Sequence, residues 1–227
     1  MSMDWLARLI GRSPPAPAPH AEPAAPLRLE VSIREHLAPL LREEGFSGSG
    51  RTFRRFVDGL AHVVQVQGSR RGGQFAINLG IHPLNVPMDF CSDHRKMNEA
   101  DCALRRRLSL NGEDQWWSHD ATETSTDAAV SNAAAVYVAA GRPKFAAMTA
   151  PEAPLRTLTA AELLTGASRF HGFWSNDVRM AFILARMRQA DGDQQAAREF
   201  ARFALDEIGD KMVGSALIPE LRAIIAD

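Results

Sequence analysis

The side chains in this chain best suited to chemistry are His82, Cys91, His94 and Cys102. Imidazole and thiolate both suit zinc, and Cys91-x-x-His94 has a ligand-like spacing. These four would define a metal-dependent, hydrolase-like enzyme. Against that reading, paired motifs such as CxxC with HxxxH are absent, and Cys102 falls at an apolar position of a predicted helix, where cysteine is commonly a core residue. Asp93-His94 and His119-Asp120 offer acid–base groups. Neighbours in sequence seldom orient one another as a catalytic pair does, so both read as loop polarity. The chain has no GxSxG, Walker loop, HExxH or Rossmann glycine fingerprint. The sequence therefore names no catalytic residue and no cofactor.

Arginine and tryptophan supply a second chemistry. Arg51, Arg54, Arg55, Arg70, Arg71 and Arg105-Arg106-Arg107, set beside Trp116-Trp117, would suit phosphate contact and base stacking. A formal net charge of -1 and a pI near 6.7 argue against a nucleic-acid partner, because such binders carry a basic domain or face. Three consecutive arginines on a helix would also point in three directions.

The elements that must position these groups are clearest in residues 45–83, which spell three strands joined by two glycine-containing turns. Asp58-Gly59 readily supplies the positive φ of a primed hairpin turn between strands 51–57 and 60–67. His62, Val64 and Val66 share the face expected to be buried. Arg70-Arg71-Gly72-Gly73 forms the next turn, and strand 74–82 sets Phe75, Ile77, Leu79 and Ile81 against Gln74, Ala76, Asn78, Gly80 and His82. Such alternation fits an antiparallel sheet with one face on a core and the other toward water or a ligand. On that polar face Arg54, Gln65, Gln67, Asn78 and His82 offer donors and acceptors of both kinds. The plainer alternative makes them ordinary solvent-facing strand residues.

Around the sheet, Ser32 and Glu35 form a capping box for a helix with Ile33, Leu37, Leu40 and Leu41 on its apolar stripe, in which Pro39 demands a kink or a later start. Residues 83–98 read as a loop, and 98–110 as a helix carrying Cys102, Leu104, Leu108 and Leu110, ended by Asn111-Gly112. Trp116-Trp117 opens a short fourth strand in which one indole enters the core and the other covers an edge or a pocket mouth. Residues 126–140 form an alanine-rich helix ended by Gly141-Arg142-Pro143, and 145–154 a connector. From Thr157 onward the chain is helical. Thr159 caps 160–164, Asn176 begins 178–189, Gly192-Asp193 turns into 194–208, and a last helix covers 214–226. Ala185, Gly192, Ala197, Ala204 and Leu205 follow a tetratricopeptide-like spacing, but a single unit points to a docked hairpin rather than an array.

With 227 residues and 45% hydrophobic content the chain can bury one sizeable core. Two cysteines are too few for a disulfide framework, so free thiols in a reducing, cytoplasmic compartment are expected. Residues 4–10 can form a short amphipathic helix with Trp5, Leu6, Leu9 and Ile10 on one side. Residues 13–26 are a Pro/Ala linker. The apolar run is too short for a signal sequence or a membrane span.

The motifs GFSGSGRTFRR, VVQVQGS, GGQFAINLGI, CALRRRL and DQWW occur in an order that resembles the uncharacterised bacterial family named domain of unknown function 4304. The resemblance covers roughly residues 33–145. It implies an α+β domain and carries no established activity. The whole reads as an α+β protein with three parts. Residues 1–30 are a tail and linker, 31–154 an antiparallel sheet of three to four strands flanked by helices, and 155–227 a C-terminal helical hairpin extension. The function expected is recognition of a protein partner through the polar sheet face, by Arg54, Gln65, Gln67, Asn78, Arg105, Trp116 and Trp117. Neutralising a toxin falls within that role.

Overall fold

A computed structural model of the chain describes residues 28–87, 93–120, 122–165, 170–173, 176–209 and 214–227. The short helix and Pro/Ala linker expected near the N-terminus, and Cys91, lie outside the described residues.

The sheet has strands β1 (Ser47–Ser49), β2 (Thr52–Val57), β3 (Leu60–Gly68), β4 (Gln74–Pro83), β5 (Leu104–Arg107) and β6 (Trp117–Ser118), more than the three or four expected. All pairings are antiparallel in the order β1-β2-β3-β4-β5, and β6 also pairs with β4. The hairpin at Asp58-Gly59 forms as read: both residues take positive φ, 48° and 77°, and Val57 pairs with Leu60. The extra strands are short. β1 is a three-residue edge folded back on β2, and β5 replaces the helix expected over 98–110.

That replacement has a physical cause. Only Glu99–Asp101 makes a helical turn, a 3-10 turn closed by a capping box between Asn98 and Asp101. Leu104 then pairs with Ile81 and Arg107 with Asn78, so the free edge of β4 supplies the backbone partners that a helix would have supplied internally. In a strand the three arginines alternate. Arg105 and Arg107 share one face and Arg106 takes the other.

One sheet face meets the main core. Phe53, Val64, Val66, Phe75, Ile77, Leu79 and Ile81 pack with Ile33, Leu37, Leu41, Val130, Tyr137 and Phe145 from the helices. The same apolar cluster continues without a break past Pro154 to Phe200 and Leu221. The opposite face carries a small cluster of Ala61, Val63, Met97 and Cys102.

The flanking helices correct two expectations. The first starts at α1 (Arg28–Ser32) and runs through a π-helical turn, Ile33–Leu37, into α2 (Ala38–Glu43). Ser32 thus lies inside the helix and caps nothing; its hydroxyl donates to Asp127 instead. The second is α3 (Glu123–Val136), followed by another π-helical turn, Tyr137–Gly141, and α4 (Arg142–Thr149). Gly141-Arg142-Pro143 therefore continues a helix rather than ending one, and much of the expected connector at 145–154 is α4. Pro39 and Pro143 explain both turns. A proline ring crowds the carbonyl four residues back and has no N–H to offer it. In each case the residue before the proline bonds five residues back, Ala38 to Ile33 and Arg142 to Tyr137, which widens the helix locally. Gly141 has no room for a side chain, since a Cβ there would lie 2.7 Å from the Tyr137 ring.

Beyond α5 (Pro154–Thr157) and a 3-10 turn at Ala160–Thr165 come α6 (Asp177–Ala190), α7 (Gln194–Ile208) and α8 (Ile218–Ala226). Asn176 and Asp193 cap α6 and α7 by accepting from the N–H groups of Arg179 and Ala196. Ala197, Phe200, Ala201, Ala204 and Ile208 form the buried stripe of α7 at helical spacing. Arg188, only 6% exposed, holds α6 to the segment before it by donating to the carbonyls of Leu155 at 2.9 Å and Leu158 at 3.1 Å. Among the described residues no helix is long and apolar enough to cross a membrane.

Candidate functional site

The sheet face away from the main core is divided into a covered half and an open half. Residues 96–102 cover the β2–β3 side, and two of the expected binding residues hold them down. Arg54 donates to the carbonyls of Met97 and Lys96, the latter at 3.2 Å. The Gln65 carbonyl oxygen accepts from the Glu99 N–H at 3.0 Å. Gly80 completes the seat, because a Cβ there would stand 2.5 Å from the Cys102 sulfur. Arg54 and Gln65 are thus occupied in building the surface.

The open half lies over β3, β4 and β5. There Gln67, Asn78, Glu99, Arg105, Arg106, Arg107 and Asp114 line a depression of about 520 Å3. The strand register puts Gln65, Asn78 and Arg107 in one row across this face and Val63, Gly80 and Arg105 in the next. Arg107 ties the depression together. Its Nε donates to Asn78 Oδ1 and one Nη to Gln67 Oε1, both at 3.2 Å, and the other Nη sits 2.9 Å from Asp114. Its guanidinium carbon lies 4.6 Å from the centre of the Trp116 ring, whose Nε1 donates to Asp114 at 3.1 Å. Asn78 donates to Gln67 Oε1 at 2.8 Å. Guanidinium only donates, so these contacts fix both amide orientations, with the oxygens toward Arg107.

Of the expected binding residues, Gln67, Asn78 and Arg105 line this depression, and Trp116 stands at its rim against Arg107 and Asp114. Trp117 does neither. It is 5% exposed in the main core, stacked on Phe75 at 5.7 Å, with its Nε1 donating to Asn132 at 2.9 Å. The two indoles part as strand alternation requires, one into the core and one at the rim. Arg107, Glu99 and Asp114, which are not among the expected binding residues, complete the site. Read as a strand, Leu104-Arg105-Arg106-Arg107 places Arg107 beside Arg105, whereas a helical reading separates them. Glu99 is a half-buried acid 3.5 Å from Arg105, and burial raises its carboxyl above the usual range.

The arginines as a group make no single basic surface. Arg51 pairs with Glu30, Arg55 lies over the Phe46 ring, and Arg106 reaches the His171 carbonyl and the Phe173 ring on the core side.

The candidate metal ligands are placed as follows. His82 is 1% exposed and uses both ring nitrogens: Nε2 donates to the Val86 carbonyl at 2.8 Å, and Nδ1 accepts from the Ala103 N–H at 3.2 Å. The His94 ring is tilted beside it at 5.8 Å. Cys102 is buried, and that burial, with Glu99 and Asp101 nearby, pushes its thiol far above the ordinary range. Among the described residues, the one triplet with ligand atoms within 4.8 Å of each other is Glu35, His36 and Asp127. There Arg28 already sits on the Asp127 carboxylate at 2.6 Å, supplying the cation.

A hydroxyl–imidazole pair that sequence reasoning missed occurs at Thr149 and His62, 3.1 Å apart, with Thr149 lining a second depression. Its polarity is wrong for a nucleophile. Arg55 donates to His62 Nδ1 at 3.0 Å, so the neutral ring carries its proton on Nε2 and donates to Thr149. The hydroxyl in turn donates to the Phe145 carbonyl at 2.8 Å. A general base needs a carboxylate where this site has a guanidinium.

Searches of curated proteins and of solved structures find no match. Residues 37–146 match the family model described as Domain of unknown function (DUF4304), so the stretch that carries all six strands and the depression resembles that family.

Proposed function

We propose that this chain is a non-enzymatic recognition module that receives a protein partner in the depression over β3, β4 and β5. The observation that carries the reading is the interlocked set Gln67–Asn78–Arg107–Asp114–Trp116, which is held in place by its own contacts before any ligand arrives. Such preorganisation lowers the entropy lost when a partner orders the surface. Arg and Trp are also the residue types that most often carry binding energy at the centre of an interface. The register of β4 and β5 supplies the rigid base, and the site needs no moving part.

The test is a pull-down from native-host lysate with the intact protein, an Arg105→Ala/Gln67→Ala/Trp116→Ala variant, and an Arg202→Ala control on exposed α7. Folding of each is checked by circular dichroism. A partner retained by the control and lost by the triple variant supports the assignment. Equal recovery by all three moves the interface elsewhere on the molecule.

A further inference from the structure

The hydrogen-bond inventory of the depression is lopsided. Apart from the Glu99 carboxylate, which faces Arg105 at 3.5 Å, its oxygens are engaged: Gln67 Oε1 accepts twice, Asn78 Oδ1 takes Arg107, and the two Asp114 oxygens take Arg107 and Trp116. Its unspent groups are donors. The Gln67 NH2, turned away from Arg107 by the fixed amide orientation, has no acceptor among the described residues. The Arg105 side chain is half exposed and makes no hydrogen bond among the described residues; its one ionic neighbour is Glu99, at 3.5 Å. A guanidinium carries five N–H donors in a fork that matches a carboxylate. Gln67 lies opposite Ala76 and Arg105 opposite Gly80, four residues apart along β4, so the backbone positions that carry the two unspent donors stand about 13 Å apart along the strand direction. An extended peptide spans that distance with about four residues.

Resting on the recognition reading above, we infer that the depression takes an acidic, extended segment of a protein partner, with one carboxylate on Arg105 and a second acceptor on the Gln67 amide. Trp116 and the stem of Arg107 flank the segment, and the Arg107 network sets its orientation without being disturbed. The bound carboxylate takes over the role of Glu99 at Arg105.

The probe is a capped tetraglutamate peptide, titrated into the 15N-labelled protein while the Gln67 side-chain NH2 and the Arg105 Nε–H signals are followed by NMR. Capped tetraglutamine and inorganic phosphate serve as parallel arms. Tetraglutamate is expected to shift both signals, tetraglutamine to leave Arg105 in place, and phosphate at equal concentration to bind at least tenfold more weakly. Arg105→Gln is expected to weaken tetraglutamate by about tenfold, the value of one charge-assisted hydrogen bond, with partial recovery in Arg105→Lys. The inference is overturned if neither signal moves, if phosphate matches the peptide, or if Arg105→Gln binds as the native chain does. Should the peptide fail while the pull-down partner still depends on the depression, the acidic segment is wrong and the recognition reading survives. Should the peptide bind while the pull-down is indifferent to the triple variant, the site is real and its role as the partner interface is wrong.

Discussion

His62 makes the stability of this fold depend on pH in a calculable way. The ring is 0% exposed, stacked on Phe145 with centroids 4.5 Å apart, and lies between the Arg55 guanidinium and the Thr149 hydroxyl. Burial first, and the Arg55 charge second, lower its pKa from 6.5 to about 3. Because the folded value is the lower one, the unfolded chain binds the extra proton throughout this window. Stability is therefore complete above pH 6.5 and falls as pH drops toward 3. At about 1.4 kcal/mol per pH unit, the contribution lost between neutrality and pH 4 is about 3 kcal/mol. Other titrating groups also act in this range, so the measurement is a comparison with His62→Gln, which does not titrate and keeps a donor and an acceptor. Urea unfolding at pH 7 and pH 4 is expected to show the native chain losing about 3 kcal/mol more than the variant. A loss equal in both proteins to within about 0.5 kcal/mol would refute a buried, neutral His62.

Three further outcomes follow from local geometry. Gly80→Ala sets a Cβ 2.5 Å from the Cys102 sulfur and 2.9 Å from the Cys102 Cβ and is expected to destabilise by about 1–3 kcal/mol in urea, and a Gly80→Ala/Cys102→Ala double variant, which removes only the sulfur contact, should recover part of that. Arg188→Met strips two buried carbonyls of their donors and should cost about 2–4 kcal/mol, read as a lower melting temperature; an unchanged value would show that the guanidinium does not hold α6 to residues 155–158. In a Cys91→Ser background, the Cys102 thiol should resist alkylation at pH 8 in the native protein and react in urea, whereas rapid native labelling would contradict its burial and raised pKa.

What the sequence discloses depends on whether a local signal names its own partner. Asp58-Gly59 specifies a turn, and the alternation of β4 specifies a face, so the central hairpins and their buried sides are legible. Leu104-Arg105-Arg106-Arg107 names neither. Leu104, with Leu108 and Leu110 beyond it, fits a helix as well as a strand, and the free edge of β4, which appears only in the tertiary structure, decides the outcome. Pro39 and Pro143 read as interruptions because an ordinary helix cannot hold an interior proline, yet a π-helical turn absorbs each. The site follows the same logic. Gln67 and Asn78 are visible from alternation, and Trp116 from the doublet rule. The covering of Arg54 and Gln65 by residues 96–102 falls where a loop without periodicity meets the start of the helix expected over 98–110, and neither reading names the sheet face as its partner.

The proposed partner-facing surface is the depression over β3, β4 and β5. It is tested most directly by placing a photo-crosslinking residue at Gln67, and separately at Arg202 on α7, and irradiating the intact protein in native-host lysate. A discrete adduct is expected from position 67 that disappears when Arg105→Glu is added, and none from position 202. An adduct from 202 alone, or one from 67 that is indifferent to Arg105→Glu, would contradict it.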